Sequence, residues 1–303
     1  MNPTNFLNYI KKQSFFHDQL IHIERIGARQ AAHQRLEQPL LRPLVEAVKA
    51  NGTGRLYEHQ ARAIDGVRAG QDVIVATGTA SGKTLCYNLP VLEATLLNPE
   101  ARAFYLFPTK ALAQDQMRAL KALITHLKTT TDQGQINRKY ALPSFGTYDG
   151  DTPQSSRGRL RRNGNIILTN PDMLHIGILP NHKLWEQFLK NLKFVVVDEA
   201  HVYRGVFGSH MALILRRLSR LCQLYGSRPQ FICCSATIAN PAEHIERLTG
   251  RVPLVVDEDR SPRAPKQFAL WNPPFIDEKK SVRRSANSEA ANLFAAMTRR
   301  SVR

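Results

Sequence analysis

The sequence predicts an α/β fold with a mostly parallel sheet covered by helices on both faces. Two observations lead there. From about residue 55, short apolar runs alternate with helical stretches. Several of the runs, such as Phe194-Val195-Val196-Val197, are apolar on both faces, as central strands are when helices cover both sides. The candidate strands are 72–77, 103–107, 144–148, 165–169, 194–198, 230–235 and 253–257. Amphipathic helices fit between them, for example over 111–127 and 210–224. Ligands of such sheets bind outside the carboxyl ends of the strands, so the loops after the strands are where chemistry is expected.

The flanks read differently. Apolar residues in 6–10 and 40–48 have helical spacing, and Asn51-Gly52-Thr53-Gly54 is a breaker cluster that ends the second helix. Residues 1–50 are therefore expected as an N-terminal helical extension, and 51–258 as the α/β domain. The stretch 259–265 has two prolines and three charged side chains and reads as a linker. Then come one apolar run at 268–271, closed by Asn272-Pro273-Pro274, and one helical segment at 287–297. Residues 259–303 are expected as a linker and the incomplete start of a second domain.

Composition narrows the class. Hydrophobic content of 43% with 22% charged residues suits a globular protein with a buried core and excludes wholesale disorder or a coiled coil. No apolar run exceeds five residues, whereas a membrane span needs about 20. Lys11 and Lys12 interrupt any signal core, so a cytoplasmic location with no membrane contact is expected. The 42 basic against 25 acidic residues give a net charge of +17 and point to a polyanionic partner, or else to a generally basic background. The four cysteines form no CxxC pair and no ligand spacing, and Cys233-Cys234 lies within a strand-like run. They read as buried reduced thiols.

The strand at 72–77 runs into Ala76-Thr77-Gly78-Thr79-Ala80-Ser81-Gly82-Lys83-Thr84, which opens a helix. That is the setting of a phosphate loop. Backbone N–H groups of Thr79, Ala80, Ser81 and Gly82, with the helix N-terminus, would cradle the β and γ phosphates. Lys83 would supply a point charge and Thr84 a hydroxyl to Mg²⁺. The strict pattern has glycine where Thr77 stands, and Ala80 lacks a glycine's backbone freedom.

The strand at 194–198 ends in Asp198-Glu199-Ala200-His201. Phosphoryl transfer needs one acid to hold the metal and another to orient or deprotonate the attacking water. Asp198 is assigned to the metal and Glu199 to the water. His201 either couples to the loop Ser235-Ala236-Thr237, which follows another apolar strand, or caps local structure.

Together these sets resemble the first RecA-like domain of a superfamily 2 helicase with a DEAH box. The resemblance implies a RecA-like P-loop domain with ATP and Mg²⁺ as cofactors, Lys83, Asp198, Glu199 and His201 as catalytic residues, and Ser235, Ala236 and Thr237 as coupling residues. Leu56-Tyr57-Glu58-His59-Gln60 resembles the Q motif, in which Gln60 would read the adenine edge. Tyr57 packs near the base or is a core aromatic. The segments Phe107-Pro108-Thr109-Lys110-Ala111-Leu112-Ala113-Gln114-Asp115-Gln116, Thr147-Tyr148-Asp149-Gly150-Asp151 and Thr169-Asn170-Pro171-Asp172-Met173-Leu174 resemble motifs Ia, Ib and Ic. In helicases these touch the nucleic-acid backbone, which makes Thr109, Lys110, Gly150, Thr169 and Asp172 the contact candidates.

Finer features are similar to the mitomycin-repair-type DNA helicases, a RecQ-related group with a C-terminal four-cysteine domain. These are the non-glycine positions of the phosphate loop, Tyr203-Arg204-Gly205-Val206-Phe207-Gly208-Ser209-His210, and Leu270-Trp271-Asn272-Pro273-Pro274. The resemblance implies 3′-to-5′ translocation on single-stranded DNA and a role in repair. No stretch resembles motifs IV to VI or a four-cysteine cluster, and too few residues follow Thr237 for a second domain of about 100–150 residues. A partial helicase is expected, with little turnover by itself unless another chain supplies the second RecA-like domain. The alternatives are a nucleotide- and nucleic-acid-binding fragment without catalysis, or an RNA helicase domain. Arg157-Gly158-Arg159-Leu160-Arg161-Arg162 reads as a phosphate contact or as a solvated helix face.

Overall fold

In a computed structural model, residues 3–132, 140–277 and 279–299 are described. Helix α1 (Pro3–Ile10) and strand β1 (Leu20–Ile26) come first. Then follow α2 (Arg42–Ala50), α3 (Glu58–Arg68), β2 (Val73–Ala76), α4 (Lys83–Leu97), β3 (Arg102–Leu106) and α5 (Lys110–Asp132). Next are β4 (Phe145–Thr147), α6 (Gln154–Asn163), β5 (Ile166–Thr169), α7 (Glu186–Lys190), β6 (Leu192–Val197), α8 (Gly205–Leu224), β7 (Gln230–Ser235), α9 (Pro241–Thr249) and β8 (Leu254–Val256). The chain ends in β9 (Lys266–Trp271), β10 (Phe275–Asp277), β11 (Val282–Arg283) and α10 (Ala286–Arg299).

The larger unit, Ala31–Ser261, holds one parallel sheet in the order β4-β5-β3-β6-β7-β2-β8. Each of the seven expected strands is present. Their two-faced apolar character has a direct counterpart in packing, because successive side chains point to opposite faces. Val73 and Val75, Tyr105, Phe194 and Val196, Ile232 and Cys234 enter one core beneath α2, α3, α4 and α5. Ile74, Phe104 and Leu106, Val195 and Val197, Phe231 and Cys233 enter the other beneath α7, α8 and α9.

All four cysteines are free and buried. Burial pushes the Cys86 thiol up to about 12 and the Cys222 thiol up to about 11, and it raises Cys233 and Cys234 as well. A thiol raised by folding stays protonated when its unfolded counterpart ionises, so these groups lose stability for the fold as pH climbs past the usual thiol range. Native protein at pH 8 is expected to resist iodoacetamide at all four sites and to take up four equivalents in denaturant. Mass spectrometry of the alkylated chain checks this, and rapid native labelling would contradict the burial.

The flanks differ from the sequence expectation. The smaller unit joins the described residues up to Gln30 with those from Pro262 onward. The expected helical extension contains α1 and α2, but also β1, which pairs antiparallel with β9 in a register setting Ile23 against Ala269. An extended segment at 20–26 leaves little local signal, because its partner lies at the other end of the chain. The expected linker at 259–265 is tied at its start: Arg260 N–H donates to His59 Nδ1 at 3.2 Å, and Ser261 N–H to Asp259 Oδ1 at 2.9 Å. Within the smaller unit the buried Glu289 carboxylate accepts from Trp271 Nε1 at 2.7 Å and from Gln19 Nε2 at 3.2 Å, and it pairs with Arg284 at 3.0 Å. Among the described residues no helix is long and apolar enough to cross a membrane.

Candidate nucleotide and nucleic-acid site

Strand order divides the carboxyl edge into two neighbourhoods. The loops after β2, β6 and β7 carry the phosphate loop, the acidic box and Ser235-Ala236-Thr237, and these three strands are consecutive in the sheet. The loops after β4, β5 and β3 carry the three segments expected at a nucleic-acid backbone, and these strands are also consecutive. β3 and β6 are neighbours, so the two groups adjoin.

The phosphate loop is shaped by two left-handed residues. Gly82 has φ +81°, and a side chain there would lie 2.5 Å from Gln60 Nε2. Ala80 adopts φ +61°, a conformation that costs roughly 1 kcal/mol for a residue with a Cβ. Thr79 and Ala80 form the exposed crest. Thr77 Oγ1 and Ser81 Oγ share a buried hydrogen bond of 2.7 Å, which accounts for threonine where the pattern has glycine. Lys83 Nζ donates to the carbonyls of Thr77 at 3.0 Å and Gly78 at 2.7 Å. The ammonium thus sits inside the curl of the loop. Gln60 is buried and occupied: Oε1 accepts from Tyr57 N–H at 2.9 Å and Nε2 donates to Gly82 O at 2.9 Å. It braces the loop and borders a cavity of about 500 Å³ with Tyr57, Arg55, His33, Ala80 and Leu85. Tyr57 stacks between His33 and His59, at centroid distances of 5.2 and 5.7 Å.

At the β6 tip, Asp198 is nearly buried. Its Oδ1 accepts from Glu199 N–H at 2.8 Å, and its Oδ2 lies 3.2 Å from the Tyr87 hydroxyl. That hydroxyl also stands 3.0 Å from Gln116 Oε1, to which the Thr84 hydroxyl donates at 3.3 Å. Thr84 and Asp198 are thus linked through two side chains. A hydroxyl and a carboxylate suit Mg²⁺, a hard cation that takes one or two protein oxygens plus substrate phosphates. Among the described residues no cluster of three His, Cys, Asp or Glu could hold a metal, and this donor set needs none. Burial pushes the Asp198 carboxyl up to about 6, with the Glu199 charge adding to the rise and the Glu199 N–H, Tyr87 and Lys83 opposing it.

A carboxyl raised by folding binds its proton more tightly in the native chain, so its cost to stability is present above about pH 6 and disappears below the unfolded value. Asp198→Asn is expected to raise the melting temperature by a few degrees at pH 8, with the gain shrinking toward pH 4. Thermal melts across that range check it, and a gain independent of pH would contradict the assigned cause.

Glu199 has φ +49°, so the acidic box turns sharply after the strand. His201 Nδ1 accepts the Ala236 N–H at 3.2 Å and lies 3.3 Å from Glu199 Oε2. One nitrogen cannot accept from the amide and donate to the carboxylate together. A neutral ring with its proton on Nε2 holds Ala236, and a ring protonated at Nδ1 holds Glu199. The bond to Ala236 joins the acidic box to Ser235-Ala236-Thr237. The Ser235 hydroxyl is buried and has no hydrogen-bond partner among the described residues. His244 on α9 braces the same turn through Ala200 O at 2.8 Å.

On the other half of the edge, Thr109, Lys110, Gly150 and Asp172 are exposed. Lys110 Nζ pairs with Asp151 at 2.7 Å. Thr169 is buried and its hydroxyl donates to Tyr148 O at 2.6 Å, so its side chain shapes the loop from inside. Arg157 is half-buried on α6, a helix with no buried residue among those described. Its guanidinium donates to Thr152 O and Asp149 O, both at 3.0 Å, and lies 5.5 Å from the Tyr148 ring centre. At the C-terminal end Arg299 closes α10, while Arg300 and Arg303 lie outside the described residues.

Sequence reasoning gave no site role to His59 or Tyr87 and read 259–260 only as the start of a linker. His59 is fully buried, accepts Arg260 N–H at Nδ1, and therefore presents an Nε2 proton to Ser81 O at 3.0 Å. A side chain at Gly78 would meet Asp259 Oδ2 at 3.1 Å. The histidine beside Gln60 was the available signal, because a polar ring at the start of an amphipathic helix needs two partners when buried.

A parallel sheet whose first site loop curls around Lys83, with an acid tip two strands away, defines a P-loop nucleotide-binding domain of the RecA-like kind. The chain belongs to the DEAD/DEAH box helicase family, whose model matches residues 57–245. It is 45% identical over 276 residues to the ATP-dependent helicase YprA of Bacillus subtilis, covering 91% of this chain and 35% of that protein. It is 39% identical over 304 residues to the ATP-dependent helicase hrq1 of Schizosaccharomyces pombe, covering 98% of this chain and 28% of that protein. A crystal structure of the DUF1998 helicase MrfA bound to DNA and AMPPNP superposes with a TM-score of 0.86 at 41% identity, over 98% of this chain and 39% of that one. The chain spans about a third of the length of these relatives.

Proposed function

We propose that the chain is the ATP-binding domain of an ATP-dependent DNA helicase, with 3′-to-5′ polarity and a repair role carried over by resemblance. The observation that carries it is the adjacency of the two loop groups on one sheet edge, supported by similarity to a helicase bound to DNA and AMPPNP. In this reading Lys83 exchanges the Thr77 and Gly78 carbonyls for phosphate oxygens, and the N–H groups of Thr79 to Gly82 hold the rest of the chain of phosphates. Tyr57, beside the cavity next to Gln60, receives the base. Thr84 and Asp198 hold Mg²⁺, which supplies charge stabilisation at the phosphates. Glu199 orients the attacking water, and His201 carries its state to Ala236. Thr109, Lys110, Gly150 and Asp172 meet the DNA backbone, with the Thr169 hydroxyl holding their loop in place.

The 303-residue chain alone is expected to bind nucleotide and single-stranded DNA but to turn ATP over slowly, because arginines reaching the phosphates from a second domain contribute about 10³–10⁵ in related sites. The test is ATP turnover and filter binding of a labelled oligonucleotide. Turnover near that of an intact helicase would contradict the incomplete site, and absence of both ligands would contradict the function.

A further inference from the structure

Tyr87 lies one turn after Lys83 on α4 and is buried, although no motif assigns it chemistry. Its ring meets Tyr105 edge-on at 5.2 Å, and the Tyr105 hydroxyl is held by Asn88 at 3.0 Å, so the ring is fixed and only its hydroxyl can turn. That hydroxyl has one proton and two acceptors in reach, Gln116 Oε1 at 3.0 Å and Asp198 Oδ2 at 3.2 Å. It can serve one at a time.

The two acceptors belong to different halves of the edge. Asp198 is the β6 acid. Gln116 stands on α5, the helix that begins at Lys110, and its neighbours Gln114 and Met117 line a cleft of about 460 Å³ with Thr147, Asp149 and Arg159. Gln116 also accepts from Thr84 at 3.3 Å. A shift of α5 by a fraction of an ångström therefore changes which acceptor the Tyr87 proton prefers, because hydrogen bonds weaken steeply outside their narrow range of length.

Resting on the helicase reading above, we propose that Tyr87 and Gln116 are positioning residues forming a relay between nucleic acid and nucleotide. With α5 in one position Tyr87 donates to Asp198 and Thr84 satisfies Gln116. With α5 in the other, Tyr87 donates to Gln116, and Asp198 Oδ2 is released toward Mg²⁺. Occupancy of the 147–152 and 109–110 loops then alters affinity at the nucleotide site, and by linkage the reverse holds equally.

The experiment uses the 303-residue chain. The dissociation constant of a fluorescent non-hydrolysable ATP analogue with Mg²⁺ is measured with and without saturating oligo-dT. The ratio of the two is the readout, so a general loss of affinity cancels. The wild type is expected to show a ratio of at least fivefold. Tyr87→Phe, which keeps the ring, and Gln116→Ala should each bring it within twofold of unity, and the double variant should do no more than either alone. Wild-type coupling retained in both single variants overturns the relay, as does a wild type that binds both ligands without coupling. A wild type that binds neither overturns the helicase reading beneath it. If Tyr87→Phe melts early, Gln116→Ala alone decides.

Discussion

Lys83→Ala is expected to weaken Mg·ATP binding by about 10- to 100-fold and to leave single-stranded DNA binding in place. The magnitude follows from charge-assisted hydrogen bonds, which contribute roughly 1.5–3 kcal/mol each. Two effects combine in this residue. In the proposed function Lys83 brings a cation to the phosphates, and in the structure its ammonium ties the carbonyls of Thr77 and Gly78 together. Alanine removes both. The second effect separates from the first through Lys83→Arg, which keeps the charge but cannot fit a planar fork between two carbonyls 3.0 and 2.7 Å from a compact ammonium. Arginine should recover only part of the affinity. Isothermal titration with a non-hydrolysable analogue, beside oligonucleotide binding on the same preparations, checks both. A Lys83→Ala chain with undiminished affinity would place the nucleotide elsewhere.

What was legible in the sequence is what leaves a local trace. The central strands were legible because both their faces are buried, so Phe194 to Val197 carries no polar residue. The places of Lys83 and Asp198 just beyond strand tips were legible because the apolar runs of β2 and β6 stop shortly before them. Strand order was not legible, since which parallel strands adjoin depends on crossovers that no single segment encodes. Nor was the pairing of β1 with β9, whose residues are separated by almost the whole chain. Arg157 shows the same limit at a single residue. Four arginines within six residues suggest phosphate, but the turn of α6 places this one against the carbonyls of Asp149 and Thr152. Gln60 carries a second lesson. Its type matched a base-reading role, yet both ends of its amide are committed to Tyr57 N–H and Gly82 O, so it shapes the phosphate loop whatever else it touches.

Trp185→Ala is expected to cost about 3–5 kcal/mol, the range for deleting a fully buried aromatic side chain, and to lower the melting temperature of the larger unit by roughly 6–20 °C. The ring is 1% exposed and packs against Phe104 at 5.9 Å, Phe188 at 5.5 Å and Tyr148 at 4.8 Å. Its removal leaves a cavity that two strands and α7 cannot collapse into without moving. The loss should also reach function. Tyr148 sits at the carboxyl end of β4, edge-on to Trp185, and its carbonyl accepts the Thr169 hydroxyl. The Arg157 guanidinium lies 5.5 Å from its ring centre and donates to the carbonyls of Asp149 and Thr152. Without Trp185 the tyrosine loses its floor, and the turn bearing Gly150 and Asp151 loosens with it. Oligonucleotide affinity should therefore fall several-fold at a temperature where the variant is still folded, while nucleotide affinity changes less, since α4, which begins at Lys83, packs into the other core. The protein's two tryptophans lie in different units, so in Trp271→Phe the fluorescence of Trp185 reports the larger unit alone. In the Trp185→Ala chain, circular dichroism follows the melt. Destabilisation with unchanged oligonucleotide affinity would show that the turn holds its shape through Arg157 and Thr152 alone.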